Sequence, residues 1–223
     1  MSFQYQAPVD RELFYWQFTA TPPEDTGQPE VEPGGKAIFI RRDPEADPEA
    51  DPRSTRQALL GRYGLVMPWA QVADTDDICA CIAKVETAAN GRAFRRVWAS
   101  GNHCIVPVQY FEKTRRNHLW TEKVRISSRD DESLGVAGLW SLTESRMGVA
   151  IYSFALLTTS AEADPILRHF KYQDRQPRMP LFVPRSQYDA WLDTPPSKSM
   201  ALISRLRTVA LKATSTKQKS SSF

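Results

Sequence analysis

The sequence predicts a mixed α+β domain built on an antiparallel sheet system that can curl into a barrel. Two observations carry that expectation. Four strand-like segments, 103–113, 119–127, 135–144 and 149–161, follow one another with turn residues between them. Two further apolar runs, 36–42 and 58–70, flank a stretch that can build neither helix nor ladder. Length then bounds the answer: 223 residues suffice for one substantial core, and a single globular domain is the expectation.

Taken in order, residues 9–18 carry Leu13, Phe14, Trp16 and Phe18 and read as a short helix. "TPPEDTGQPEVEPGG" breaks helices with proline and glycine and reads as a long loop, after which "KAIFIRR" is a strand. "DPEADPEADP", over 43–52, repeats an acidic unit with a proline every fourth residue, so a solvated hairpin loop is its natural place. "ALLGRYGLVMPWA" reads as a strand ending in a turn, "DDICACIAKVET" as a short apolar run, and "ANGRAFRRVWASG" as a helix closed by glycine. After the four strand segments, "EADPILRHFKY" has a helical pattern, "MPLFVP" that of a strand and "SQYDAWLD" that of another helical turn. The sequence divides into a globular part, 1–192, and a C-terminal part, 193–223, comprising a basic amphipathic helix over 200–213 and a Ser/Lys-rich tail.

Composition excludes several classes of function. No stretch approaches the roughly 20 apolar residues that span a bilayer, and no basic region precedes an apolar core at the N-terminus, so a cytoplasmic protein without membrane contact is expected. Cys79, Cys81 and Cys104 are odd in number, which argues for buried thiols rather than a disulfide framework. Their spacing with His103 does not suit zinc, and neither metal nor cofactor is expected. The six basic residues after Asp193, taken from 29, leave 23 against 26 acids in the globular part, so the positive charge belongs to the tail. No glycine-flanked serine elbow accompanies His103, His118 or His169, and no phosphate-cradling glycine loop is present.

Ser2 raises a separate question. Trimming of Met1 before so small a residue would leave an α-amine beside a hydroxyl, two neighbouring nucleophiles at a chain end. The same position is also what any chain end looks like.

Eight strings in order bear on that question: "MSFQY" at the start, "GRYGLVMPWA" at 61–70, "AKVETAA" at 83–89, "FRRVWASGNHCIVP" at 94–107, "YFE" at 110–112, "AGLW" at 137–140, "FALLTTSA" at 154–161 and "RMPLFV" at 178–183. Together they resemble the SRAP family, the SOS response-associated peptidases described as abasic-site processing proteins. The resemblance implies a contorted, mostly antiparallel, barrel-like sheet flanked by helices around a channel for single-stranded DNA. It implies a mature N-terminal cysteine that captures the aldehyde of an abasic site as a thiazolidine, a DNA–protein crosslink, and that supports peptidase or Schiff-base lyase steps.

Carried over residue by residue, the family site is largely substituted here. Ser2 stands for the cysteine, Ile82 for the asparagine before "ETA" and Lys84 for the neighbouring arginine. The histidine before "RMP" falls to Lys171 or Gln176, with His169 nearby. Glu112 remains, although the segment leading to it is one residue short. Whether the chain is still an enzyme is therefore open. Ser2 and Glu112 are the candidate catalytic pair, the amine to form an imine and the carboxyl to move protons. Trp69, Lys84, Arg95, Arg96, Arg115, Arg116 and Arg178 are the candidate DNA contacts. The expected function is a monomeric, divergent damage-response protein binding single-stranded DNA at abasic sites, with crosslinking weakened to a reversible imine. The alternative is a catalytically dead, phage-related protein-interaction module whose pocket Ile82 fills.

Overall fold

The structure is a computed structural model that describes residues 3–47, 49–66, 80–116, 121–144, 147–170 and 176–216. In chain order the strands are β1 (Tyr5–Gln6), β2 (Glu30–Val31), β3 (Lys36–Arg42), β4 (Arg56–Tyr63), β5 (Ile82–Lys84) and β6 (His103–Val108). They continue with β7 (Tyr110–Arg116), β8 (Thr121–Ser128), β9 (Leu134–Glu144), β10 (Ala150–Ser160), β11 (Arg178–Pro180) and β12 (Leu211–Thr216). The helices are α1 (Arg11–Phe18), α2 (Val85–Ala88), α3 (Arg95–Ala99), α4 (Tyr188–Asp193) and α5 (Pro196–Ile203).

Strand β10 organises the larger sheet because its eleven residues extend beyond its pairing with any one partner. One edge pairs in parallel with β4 and then β5; the other pairs antiparallel with β9 and then β11. The ladder β10–β4–β3–β6–β9 returns to β10 and closes a five-stranded barrel. Its interior is aromatic: Phe39 and Phe154 lie 5.7 Å apart, and Tyr63 stacks on Phe154 at 5.5 Å. Gly61 makes room for this filling, since a Cβ there would lie 2.7 Å from the Phe39 ring.

The other face of the barrel strands is covered by helices. Asp10 caps α1 by accepting from Glu12 N at 3.0 Å and Leu13 N at 2.9 Å, and Thr19 ends the helix in the left-handed region at φ 52°. Phe14 and Phe18, four residues apart, then share one buried stripe that packs with Val97, Trp98 and Trp191. The β3–β4 hairpin carries the acidic loop as expected, and each acidic repeat forms its own turn. Asp43, Asp47 and Asp51 accept from the backbone N–H two residues on, at 3.0, 2.9 and 2.9 Å.

A second sheet, in the order β12–β8–β7–β1–β2, lies against the barrel. Its inner residues Val31, Phe111, Val124 and Ile126 join the apolar cluster of the barrel interior.

The expected α+β architecture with a barrel-like, mostly antiparallel core is what the chain adopts. Several elements differ in detail. The segment read as one strand over 103–113 is two, broken at Gln109, whose N–H donates to Gln6 O at 2.7 Å as the chain passes between sheets. The helix expected over 200–213 covers only Pro196–Ile203; residues 211–216 form β12, because pairing with all of Lys123–Ser128 outweighs the amphipathic pattern. "EADPILRHFKY" holds only a 3-10 turn at Leu167–His169, and its end, 171–172, lies outside the described residues. Cys104 is the free, fully buried thiol expected, whereas Cys81 is disulfide-bonded, against the reading from the odd count.

Candidate functional site

The N-terminal segment is fastened to the second sheet. Tyr5 pairs with Phe111 and Gln6 with Tyr110, so β1 runs antiparallel beside β7. Phe3 is buried, its ring 4.9 Å from Phe111, and Tyr5 meets Tyr63 of the barrel at 5.7 Å. Phe111 in turn stacks on Phe182 at 6.2 Å. Three aromatic contacts of this kind, each about 0.5–1.5 kcal/mol beyond area burial, hold the chain in place one residue after Ser2. Ser2 itself lies outside the described residues.

Strand alternation decides which β7 side chains face that segment. Phe111 is inside, so Lys113 shares its face, and Lys113 Nζ sits 5.6 Å from the centre of the Phe3 ring. Tyr110 and Glu112 take the opposite face. There the Arg125 guanidinium covers the Tyr110 ring at 3.8 Å, and Glu112 meets Lys123 at 3.6 Å. Lys113, Tyr110 and Arg125 were not singled out from the sequence, although the alternation that places them was readable.

From the barrel side, Ile82 packs against the same apolar cluster that contains Phe3, and Met179 does so too. Lys84, two residues on, is exposed. Arg178 faces inward on itself. It forks onto Glu86 at 2.8 and 2.9 Å and also donates to Thr158 Oγ1 at 3.2 Å and to the Thr158 carbonyl. The Arg178 hydrogen bond holds the Glu86 carboxyl below its ordinary value. Gln176 is exposed just before β11, and His169 accepts from Arg168 Nε at 3.2 Å.

The remaining candidates are scattered. Arg95 and Arg96 are exposed on α3, a helix whose Val97 and Trp98 pack into the helical cluster rather than the one holding Phe3. Arg115 and Arg116 occupy the end of β7, paired in register with Glu122 and Thr121. Trp69 and Lys171 lie outside the described residues. The structure thus brings the N-terminal segment, Lys113, Ile82 and the start of β11 to the borders of one apolar cluster and leaves Arg95 and Arg96 elsewhere. Among the described residues no three His, Cys, Asp or Glu side chains converge as a metal site, and no helix is long and apolar enough to cross a membrane.

Comparison with solved structures finds the same fold. A protein from Bordetella bronchiseptica superposes with a TM-score of 0.82 at 26% identity, over 97% of this chain and 100% of the other. One from Bacteroides thetaiotaomicron gives 0.73 at 18%, over 96% and 92%, and a phage-related protein from Bordetella bronchiseptica gives 0.69 at 14%, over 97% and 94%. No curated protein matches the sequence. A sequence model of the SOS response associated peptidase (SRAP) family matches residues 4–220, nearly the whole chain including β12, and the protein belongs to that family.

Proposed function

We propose that this chain binds single-stranded DNA and captures the aldehyde of an abasic site as a reversible imine, with the α-amine of Ser2 as attacking group. An α-amine titrates near pH 8, so a fraction is neutral at pH 7 whatever side chain stands beside it. Serine closes the imine to an oxazolidine, which reopens far more readily than the thiazolidine of the family's cysteine. The observation that supports this reading is the seating of the N-terminal segment: Phe3 is buried against Phe111, which ties the residue after Ser2 to the sheet bearing Glu112. Glu112 is the residue the family pattern offers for the proton transfers, and it stands on the face of β7 opposite Phe3. Its contact with Lys123 is loose at 3.6 Å and exposed, so the carboxylate stays available. Lys84 and the exposed arginines supply phosphate contacts in this reading.

The test is incubation of the protein, its N-terminus checked by intact mass, with single-stranded DNA bearing one abasic site. A covalent band on a denaturing gel is expected only when borohydride is added, and Ser2→Cys should give a band without it. Absence of a band in every lane, Ser2→Cys included, would overturn the proposal. The packing of Ile82 against the Phe3 cluster favours a second reading, a closed pocket on a protein-interaction module; that result would support it.

A further inference from the structure

We infer that Lys113 is a second imine-forming amine of this site, placed on the face of β7 that looks toward Phe3. The inference rests on the aldehyde-capture reading above and concerns which nitrogen does the capturing.

Lys113 is set among apolar groups. Phe111 precedes it by two residues on the same face, buried Val124 is its cross-strand partner on β8, and the Phe3 ring lies 5.6 Å from its ammonium nitrogen. Among the described residues it forms no ion pair, and its neighbour Glu112 is turned away onto Lys123. The other described lysines are unlike it: Lys36, Lys84, Lys123 and Lys198 are exposed, and Lys212 is paired with Asp131. An amine in such surroundings loses hydration without gaining a counter-charge, which favours its neutral form, and burial lowers the Lys113 pKa accordingly. That is the setting in which lysines form Schiff bases. A structural lysine stacked on an aromatic ring would need only its charge, whereas an imine needs its lone pair.

The step balances without a co-reactant. Neutral Nζ gives its lone pair to the aldehyde carbon, the carbonyl π electrons move to oxygen, and that oxygen takes a proton, forming a carbinolamine. The nitrogen then loses its two protons as the oxygen leaves as water, and a C=N bond joins Nζ to the sugar carbon. Hydrolysis reverses the sequence, so this route too gives a reversible adduct.

The test fixes the complex of full-length protein and abasic single-stranded DNA with borohydride and maps the modified peptide by mass spectrometry after nuclease and protease digestion. The expected result is sugar-derived mass on Lys113, with cleavage after that residue blocked. Lys113→Arg, which keeps the positive charge but offers no usable lone pair, should lower the adduct on this peptide at least tenfold and leave the N-terminal adduct in place. Its affinity for intact single-stranded DNA should stay within about twofold, and a thermal melt checks that it folds. Modification confined to the N-terminal peptide would overturn the Lys113 inference and leave aldehyde capture standing. No adduct from wild type or Ser2→Cys would overturn both.

Discussion

Arg178 and Glu86 meet fork to fork, Nη1 to Oε1 at 2.8 Å and Nη2 to Oε2 at 2.9 Å, tying the first residue of β11 to helix α2. The pair matters for how the candidate DNA contacts are sorted, because a guanidinium already committed to a carboxylate and to Thr158 has little left to offer a phosphate.

Arg178→Lys, which cannot fork, is therefore expected to cost roughly 1–2 kcal/mol in urea unfolding while leaving the salt dependence of DNA binding nearly unchanged. Lys84→Ala should do the reverse: little change in stability, and a salt slope shallower by about 0.7 if one phosphate contact is lost. A steep loss of slope in Arg178→Lys would show that the latch opens to bind.

A second ionic group fixes α4 to the β3–β4 hairpin. Asp189 accepts from Arg56 at 2.9 and 2.7 Å and from Arg42 at 3.1 Å, and the Arg56 side chain is only 4% exposed. Burial would raise the Asp189 carboxyl, but the two arginines hold it below its ordinary value. Asp189→Asn leaves Arg56 buried without a counter-charge and should lower unfolding free energy by about 3–5 kcal/mol. Equilibrium denaturation would measure it, and a loss under 1 kcal/mol would mean that water reaches Arg56.

His103 supplies a pH dependence. Its ring lies between Trp191, at 4.3 Å, and Trp98, at 6.0 Å, with Nε2 3.3 Å from the Ser199 hydroxyl, and burial depresses its pKa from 6.5 to about 4. The unfolded chain therefore takes up the proton first as pH falls. Stability is at its full value above pH 6.5, declines between 6.5 and about 4, and draws no further loss from this residue below that, a total of roughly 3 kcal/mol. Chemical denaturation at a series of pH values should trace this fall, and His103→Gln should flatten it.

Gly61→Ala tests the barrel filling. The new methyl would meet Phe39 at 2.7 and 2.9 Å and Phe154 at 3.3 Å, so two interior rings must shift, at a cost of about 1–3 kcal/mol. A melting temperature equal to that of the parent chain would mean that the interior has slack.

Much of this protein was legible in its sequence because local chemistry settled it. The proline-spaced aspartates of 43–52 could form only turns, the Asp10 cap and the Phe14–Phe18 spacing marked α1, and eight short strings identified the family. What local chemistry left open, long-range pairing decided. Residues 211–216 became a strand because β8 offered an unpaired edge, and Gln109 became a break because β6 and β7 belong to different sheets. Glu112 and Lys113 are adjacent in sequence, yet on a strand adjacent side chains point to opposite faces, and which face is inner depends on where β1 and the barrel lie. The sequence alone determined the family; only the tertiary structure decided that the lysine, not the glutamate, faces Phe3.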